Sequence, residues 1–570
     1  MTALASEEST IDALVARLHE GEKTWAAQNL VQRKALLMQM STLVDESADE
    51  WVRIAGSIKQ LPVGSPLFGE EWTSGPWATI AAISALNETI DRLAAGKSAL
   101  DGFAFRQVPG NRVATQVMPH SIYDRLLLSG FSAEVWMQPG VTEVEARKTA
   151  GLGLLDPSAT RGVTLVLGAG NIFSIAPLDT LYQLYAENRV VVLKLNPVTD
   201  PLMPVFQRVF KPFIELGAVE IITGGAEIGG ALAQHPGVTA VHMTGSENTH
   251  DAIVWGPGAE GIAAKASGSP RLTKPISSEL GGVAPTIVIP GKWSKRDLRF
   301  QAQHVATQRL HNSGSNCVAS QVVVVSFDWA QKDEFLTELN KAIADAPARP
   351  AWYPGSCDRV EKARATHPGA AAETGGTAER TLLTLNASAA DEPAFADEYF
   401  APVLGVTELS GTGSDFLRHA VDFSNNTLRG TLGANIVVKP RDRKKIADFE
   451  SSIADLRYGT IAINAWTAVG YLAAYATWGA YPGHPLDNVE SGIGVVHNAA
   501  LIAAPERTVV QGPFRPSPRS IATGEMSISP KPPWFVNNKT ADVTGRRLTK
   551  FAAKPGIGRL LPIFASALRG

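Results

Sequence analysis

Two cysteines, Cys317 and Cys357, in 570 residues are too few to staple a secreted scaffold and point to a reducing, cytoplasmic setting. Their spacing offers no Cys/His cluster of the kind that holds zinc, so no metal is expected. No run approaches the roughly 20 apolar residues a spanning helix needs. The N-terminus MTALASEESTIDALVARLHEG carries acids and no apolar centre, which argues against a signal peptide or anchor. Net charge is only −3, so the overall balance recruits no nucleic acid. What remains is a chain with 45% hydrophobic residues, long enough for two or three packed domains.

From Ile11 to about Asp101 apolar residues recur every three or four positions, as in Ile11, Leu14, Val15 and Leu18, and later Ile80, Ile83, Leu86 and Ile90. That is the pattern of amphipathic helices, with Ser9, Thr10 and Asp12 as the cap of the first. Trp25, Trp51, Trp72 and Trp77 read as packing anchors. Alternating runs between Phe103 and Gly140, such as Ala133 to Met137, read as strands of a hairpin arm.

At Arg161 the texture changes. Gly162 to Gly168 is a continuous apolar strand that runs into Gly-Ala-Gly and a helix from Leu178 to Asn188. Val190 to Leu195, Val219 to Ile222 and Val238 to Met243 repeat the strand-then-helix unit. Such alternation predicts an α/β fold with right-handed crossovers and an open parallel sheet. Ligands of such sheets lie at the carboxyl ends of the strands, which here carry Asn171, Lys194, Gly225 and Gly245-Ser246, so the pattern proposes a dinucleotide site. The usual G-x-G-x-x-G fingerprint is nevertheless absent: Gly168-Ala169-Gly170-Asn171-Ile172-Phe173 has Phe in place of the third Gly. Further on, Cys317 lies in the short polar segment His311 to Ser320, before the strand Gln321 to Val325. A bend there would hold its sulfur at an open surface, as a nucleophile requires.

Taken in order, these segments resemble the aldehyde dehydrogenase superfamily. Gly170-Asn171-Ile172-Phe173 resembles its Trp-Asn-Phe-Pro turn, and Met243-Thr244-Gly245-Ser246 its Phe-Thr-Gly-Ser turn. Glu279-Leu280-Gly281-Gly282 resembles Glu-Leu-Gly-Gly, Gly314-Ser315-Asn316-Cys317 the nucleophile loop, and Glu398-Tyr399-Phe400-Ala401-Pro402-Val403 the Glu-x-Phe-Gly-Pro-Val motif. Trp478-Gly479-Ala480 and Ser491-Gly492-Ile493-Gly494 match its later glycine-rich segments. Each match alone is weak; their common order is specific.

The resemblance implies NAD(P)-dependent oxidation of an aldehyde to a carboxylic acid. Cys317 would form a thiohemiacetal and then a thioester, Asn171 and the Cys317 backbone N–H would hold the oxyanion, and Glu279 would activate the hydrolytic water. It assigns the cofactor, NAD or NADP, to Lys194, Gly225, Gly229, Gly245, Ser246, Leu280, Glu398 and Phe400. Pro197 stands where an acid often meets the ribose 2′-hydroxyl, which leaves NADP open. Glu247-Asn248-Thr249-His250 and a Gly/Ala-rich insertion before Glu279 alter the pyrophosphate side, and Ala401 replaces a Gly. Gly170 in place of Trp should widen the substrate tunnel, toward a bulky or long apolar aldehyde. Two alternatives stand beside this reading: a CoA-acylating reductase, which needs no base for water, and a non-catalytic binding or structural relative.

The expected layout is an aldehyde dehydrogenase-like fold. It has an N-terminal helical segment at 1–140, part of a small β oligomerisation arm at 141–160, and a dinucleotide-binding domain at 161–279. A catalytic α/β domain follows at 280–490, then a bridging strand at 491–510 and a basic extension at 511–570. A homodimer or homotetramer is implied. The extension has ten Lys/Arg against two acids. Its apolar end, Ile557 to Phe564, suits either a membrane surface or, as its Gly and Pro residues favour, packing as a lid or clamp.

Overall fold

The computed structural model of the chain describes residues 2–374 and 379–570. Its N-terminal part is helical, as the periodicity predicts, with helices Thr2–Ala26, Leu30–Ile58 and Ala78–Ala94. The first begins upstream of the cap expected at Ser9 to Asp12. Asn29 starts the second with a capping box: its side chain accepts from the Gln32 N–H while Gln32 accepts from its own. Trp25 and Trp51 are fully buried and tie these helices to the sheet beneath, Trp25 Nε1 donating to Asn188 Oδ1 at 3.0 Å and Trp51 lying edge-on to Phe206. Trp72 is also buried, whereas Trp77 is only partly so.

Three antiparallel strands follow, β1 (Phe105–Val108), β2 (Arg112–Met118) and β3 (Ser132–Met137). These arm strands precede residues 141–160, which form the short helix Glu143–Thr149 and the 3-10 turn Leu152–Leu155.

Two sheets then organise the chain. The first holds β4 (Val163–Leu167), β5 (Val190–Lys194), β6 (Val219–Ile222), β7 (Val238–Gly245) and β8 (Ile276–Leu280), all parallel. Val190 to Lys194 is buried throughout, as a strand covered by helices on both faces must be. The Gly/Ala-rich insertion before Glu279 folds as helix Gly258–Ala266 between β7 and β8. The second sheet holds β9 (Ala284–Val288), β10 (Ser320–Ser326), β11 (Ala371–Thr374), β12 (Glu379–Leu385), β13 (Val403–Leu409), β14 (Gly433–Val437) and β15 (Thr460–Ile463). Late in the chain, β16 (Trp478–Gly479) pairs with β18 (Val495–His497), while β17 (Gly492–Ile493) lies antiparallel to β8. The last strand, β19 (Pro505–Gln511), runs parallel to β15 and antiparallel to β3. Through β19 the arm joins the second sheet of its own chain, giving the order β1-β2-β3-β19-β15-β14-β9-β10-β13-β12-β11.

Residues 511–570 do not hang free. Arg515 and Arg519 both pair with Asp297, Phe535 stacks on Phe300 and His304, and helix Ala541–Ala553 packs against Phe68–Trp72. Ile557, Leu561 and Leu568 on the final helix stay exposed. No helix among the described residues is long and apolar enough to cross a membrane.

Candidate active site

Helix Lys295–Leu310 ends in a turn that carries Asn312, Ser313 and Gly314 in the left-handed region, with φ of 53°, 57° and 75°. The first two store strain of order 1–3 kcal/mol each, which the surroundings must over-determine. They do so with Asn312. Its Nδ2 donates to the carbonyls of Asn171 (3.1 Å) and Ser315 (2.9 Å), and its Oδ1 accepts from Trp352 Nε1. Its backbone N–H donates to Glu70 Oε2 at 3.0 Å. Glu70 is buried and paired with Arg349 at 2.8 Å. The N-terminal segment therefore clamps the loop that presents Cys317, a contact with no local signature in the sequence.

Cys317 is unpaired and partly exposed. Burial and the carboxyls of Glu279 and Glu398 push its thiol well above its usual pKa, so at rest it holds its proton. Glu279 is itself buried, at the end of β8. Burial, with the charges of Asp179 and Glu398, pushes its carboxyl up to about 8 against the opposing hydrogen bonds of Cys317 and Trp478. Glu398 is likewise pushed up to about 8, by burial against the cations of Arg309 and Arg359. The glycines of Glu279-Leu280-Gly281-Gly282 now have a reason. A Cβ at Gly281 would collide with the Glu398 carboxylate, and one at Gly282 would come within 2.9 Å of Gly430 Cα.

These groups open onto one cleft of about 800 Å³ along the carboxyl ends of β4 to β8. It brings together Asn171, Lys194, Gly225, Gly229, Gly245, Ser246, Glu279, Cys317, Glu398 and Phe400. Leu280 is the exception: its side chain leaves the cleft and packs with Met243 and Val489. A strand that alternates faces must turn the residue after Glu279 inward. Asn171 Nδ2 donates to Ser315 O at 3.1 Å, which spends one of its two protons. Ser246 Oγ accepts the Thr249 N–H as a helix cap while also lining the cleft. Lys194 is buried, and desolvation lowers its pKa against the nearby charge of Asp200.

Three features escaped the sequence reading. Asp200 places an acid near Lys194 although Pro197 has replaced the expected one. Arg359 and Tyr353 join the cleft wall, Tyr353 edge-on to Phe400 at 4.9 Å and Arg359 donating to Tyr399 O at 2.6 Å. Neither belongs to a motif, and only the fold brings them near Glu398. Phe173, in place of the third glycine, is buried 4.7 Å from the Lys59 ammonium. Gly170 does not widen the substrate side. A Cβ there would meet the Asn196 side chain at 2.8 Å, on the wall of the long cleft.

The profile of the Aldehyde dehydrogenase family matches residues 161–479. The chain belongs to that family. Among curated aldehyde dehydrogenases it is 27% identical over 341 residues to α-ketoglutaric semialdehyde dehydrogenase 2 of Azospirillum brasilense, covering 56% of this chain and 61% of that protein. It is 26% identical over 328 residues to 1-pyrroline-5-carboxylate dehydrogenase of Bacillus pumilus, covering 54% and 60%. The chain thus matches about six tenths of the length of these relatives. Among solved structures, it is similar to the NADP-dependent glyceraldehyde-3-phosphate dehydrogenase of Bacillus halodurans in complex with NADP, with a TM-score of 0.59, 18% identity and coverage of 88% of this chain and 91% of that one. It is equally similar to aldehyde dehydrogenase C of Pseudomonas syringae with NAD+ and octanal, at a TM-score of 0.59, 16% identity and 90% coverage of each chain. At such identity the likeness shows the aldehyde dehydrogenase fold, two α/β sheets included.

Proposed function

We propose that this chain oxidises an aldehyde to a carboxylic acid with a nicotinamide dinucleotide as cofactor. The observation that carries the reading is the convergence of the Cys317 thiol and the Glu279 carboxyl in one cleft of about 800 Å³ that is also lined by Lys194, Gly225 and Ser246 at the strand ends. The cleft residues fit that cofactor. A Cβ at Gly225 would meet no protein atom and would occupy the cleft instead, and Glu398 Oε1 is buried without a hydrogen-bond partner. Lys194, Ser246 and Glu398 would hold it, and when bound it supplies the acceptor for the substrate's hydride.

The protein's own groups do the rest. Cys317 attacks the carbonyl once its proton has passed to ionised Glu279, since the thiolate is the nucleophile. The remaining Asn171 Nδ2 proton and the Cys317 N–H meet the charge that builds on the oxygen. Oxidation leaves a thioester on Cys317. Glu279, having released the thiol's proton to solvent, then takes a proton from the water that attacks the thioester carbonyl, and the acid departs as the C–S bond breaks and Cys317 leaves as thiolate.

The test is absorbance of the reduced nicotinamide with NAD and NADP in parallel and a panel of aldehydes, with and without CoA. Signal without CoA is the expected result. Dependence on CoA would move the chain to the acylating class. Silence in both conditions with dinucleotide bound would favour a non-catalytic relative.

A further inference from the structure

A second cavity, of about 50 Å³, shares Cys317 with the long cleft. Ile172, Val469, Leu472, Tyr471, Trp466 and Trp478 form most of its wall, but its far end is built from outside the span the family profile matches: Thr73 and Ser74 from the N-terminal helices and Trp534 from the C-terminal extension.

The wall carries no Lys, Arg, Asp or Glu to pair with a charged substrate, and most of its polar groups are already hydrogen-bonded. Thr73 Oγ donates to Gly69 O (2.8 Å) and Ser74 Oγ to Glu70 O (2.6 Å). The Tyr471 hydroxyl is hydrogen-bonded to Ser174 Oγ (2.7 Å), and Trp466 Nε1 donates to Val318 O (3.2 Å). His311 is neutral, burial pushing it down to about 4. A carboxylate, ammonium or phosphate on the substrate would therefore be desolvated here with no counter-charge to meet it. The space holds on the order of four water-sized groups, a carbonyl and a short chain.

Trp534 is fixed in place. It lies edge-on to Phe131 at 5.6 Å, the next residue stacks on Phe300 at 5.3 Å, and the Val536 N–H donates to Thr307 Oγ1 at 3.3 Å.

Resting on the dehydrogenase reading above, we infer that the substrates are short, uncharged, apolar aldehydes, and that Trp534 of the C-terminal extension sets their upper chain length. The expectation of a bulky or long substrate drew on Gly170, which does not line this cavity, and on aromatic-rich surroundings, which here close the cavity. A methylene beyond the wall forces repacking, at a cost of about tenfold or more in kcat/KM.

The test uses the full chain with straight-chain aldehydes from ethanal to octanal, and 4-oxobutanoate as the charged probe of butanal length. Wild type should peak at three to four carbons, fall at least 100-fold by octanal and reject 4-oxobutanoate. Trp534→Ala should move the peak by two or more carbons and Trp534→Phe by less, both shown to be folded by circular dichroism and a cooperative melt; Leu561→Ala, an exposed residue of the same extension, should leave the profile unchanged. A wild-type profile flat or rising to octanal overturns the inference, as does an unmoved peak in a folded Trp534→Ala or Trp534→Phe. If no aldehyde is turned over, the dehydrogenase reading fails by itself, and the cavity is read instead by protection of Cys317 from iodoacetamide. Butanamide protecting wild type better than octanamide, with that order lost in the Trp534 variants, supports the cavity assignment; no length dependence overturns it.

Discussion

Cys317 stands between two spaces of opposite construction. The long cleft is walled by backbone turns at strand ends and by charged groups, and its residues fall between Leu167 and Phe400, inside the span that matches the family. The small cavity is aromatic and aliphatic, and three of its residues, Thr73, Ser74 and Trp534, come from the two flanking segments. The difference teaches where each property of this protein resides. On the proposed mechanism the reacting groups lie in the span shared with the family, while the small cavity beside Cys317 is finished by parts of the chain more than a hundred residues before and after it.

The largest way to break that comparison is at its shared member. Cys317→Ala should lower turnover by about four orders of magnitude or more in steady-state assays, while a fluorescence titration still shows dinucleotide binding, because the cleft's other contacts are untouched. Turnover near the wild-type level would remove Cys317 from the mechanism.

Glu279→Gln should cost about 10²–10⁴-fold in turnover, slowing both the attack of Cys317 and the hydrolysis of the thioester, as single-turnover and steady-state rates would show. The sign of its pH dependence follows from burial. The carboxyl, pushed up to about 8, is mostly protonated at neutral pH and becomes a base as pH rises. Wild-type activity should climb through that region, and the Gln variant should lose the climb. An unchanged limb would assign it to another group.

On the cavity side, Glu70→Ala leaves Arg349 and the Asn312 N–H buried without their partner. The expected loss is about 3–5 kcal/mol of stability, measured by denaturant unfolding, together with a fall in kcat as the nucleophile loop loosens. A loss below about 1 kcal/mol would mean that the loop holds itself.

The smallest effect lies on the cleft side. Asp200→Asn removes the negative charge near Lys194 and should raise the preference for NADP over NAD several-fold, on the order of 1 kcal/mol. An unchanged ratio of kcat/KM values would show that Asp200 does not reach the ribose.

Much of the fold and nearly all of the cleft could be read from the sequence, for one physical reason. Parallel strands buried on both faces leave long apolar runs, and the residues at their carboxyl ends come next in the chain, so Asn171, Lys194 and Ser246 announce themselves. Leu280 went astray because a motif names residues without saying which face of the strand they take. Asp200 and Arg359 lie in helical segments whose approach to the cleft depends on tertiary packing. Glu70, Thr73 and Trp534 were beyond reach altogether: each touches the nucleophile's surroundings from hundreds of residues away, where neither spacing nor periodicity carries information. Trp72 packs as an anchor while Trp77 is only partly buried, and nothing local said that Thr73 and Ser74 between them line the small cavity.

The position of β19 bears on how the protein is made. That strand lies between β3 and β15, so the arm at residues 105–137 waits for a partner that begins at residue 505. At ribosomal rates the interval is roughly 20–70 s. Through that time the outer edge of β3 is an unpaired template, open to strands of neighbouring nascent chains. The large sheet is therefore completed only once residues 505–511 have been made, and conditions that slow elongation should lower the yield of folded protein more than they would for a chain whose sheets close in sequence order.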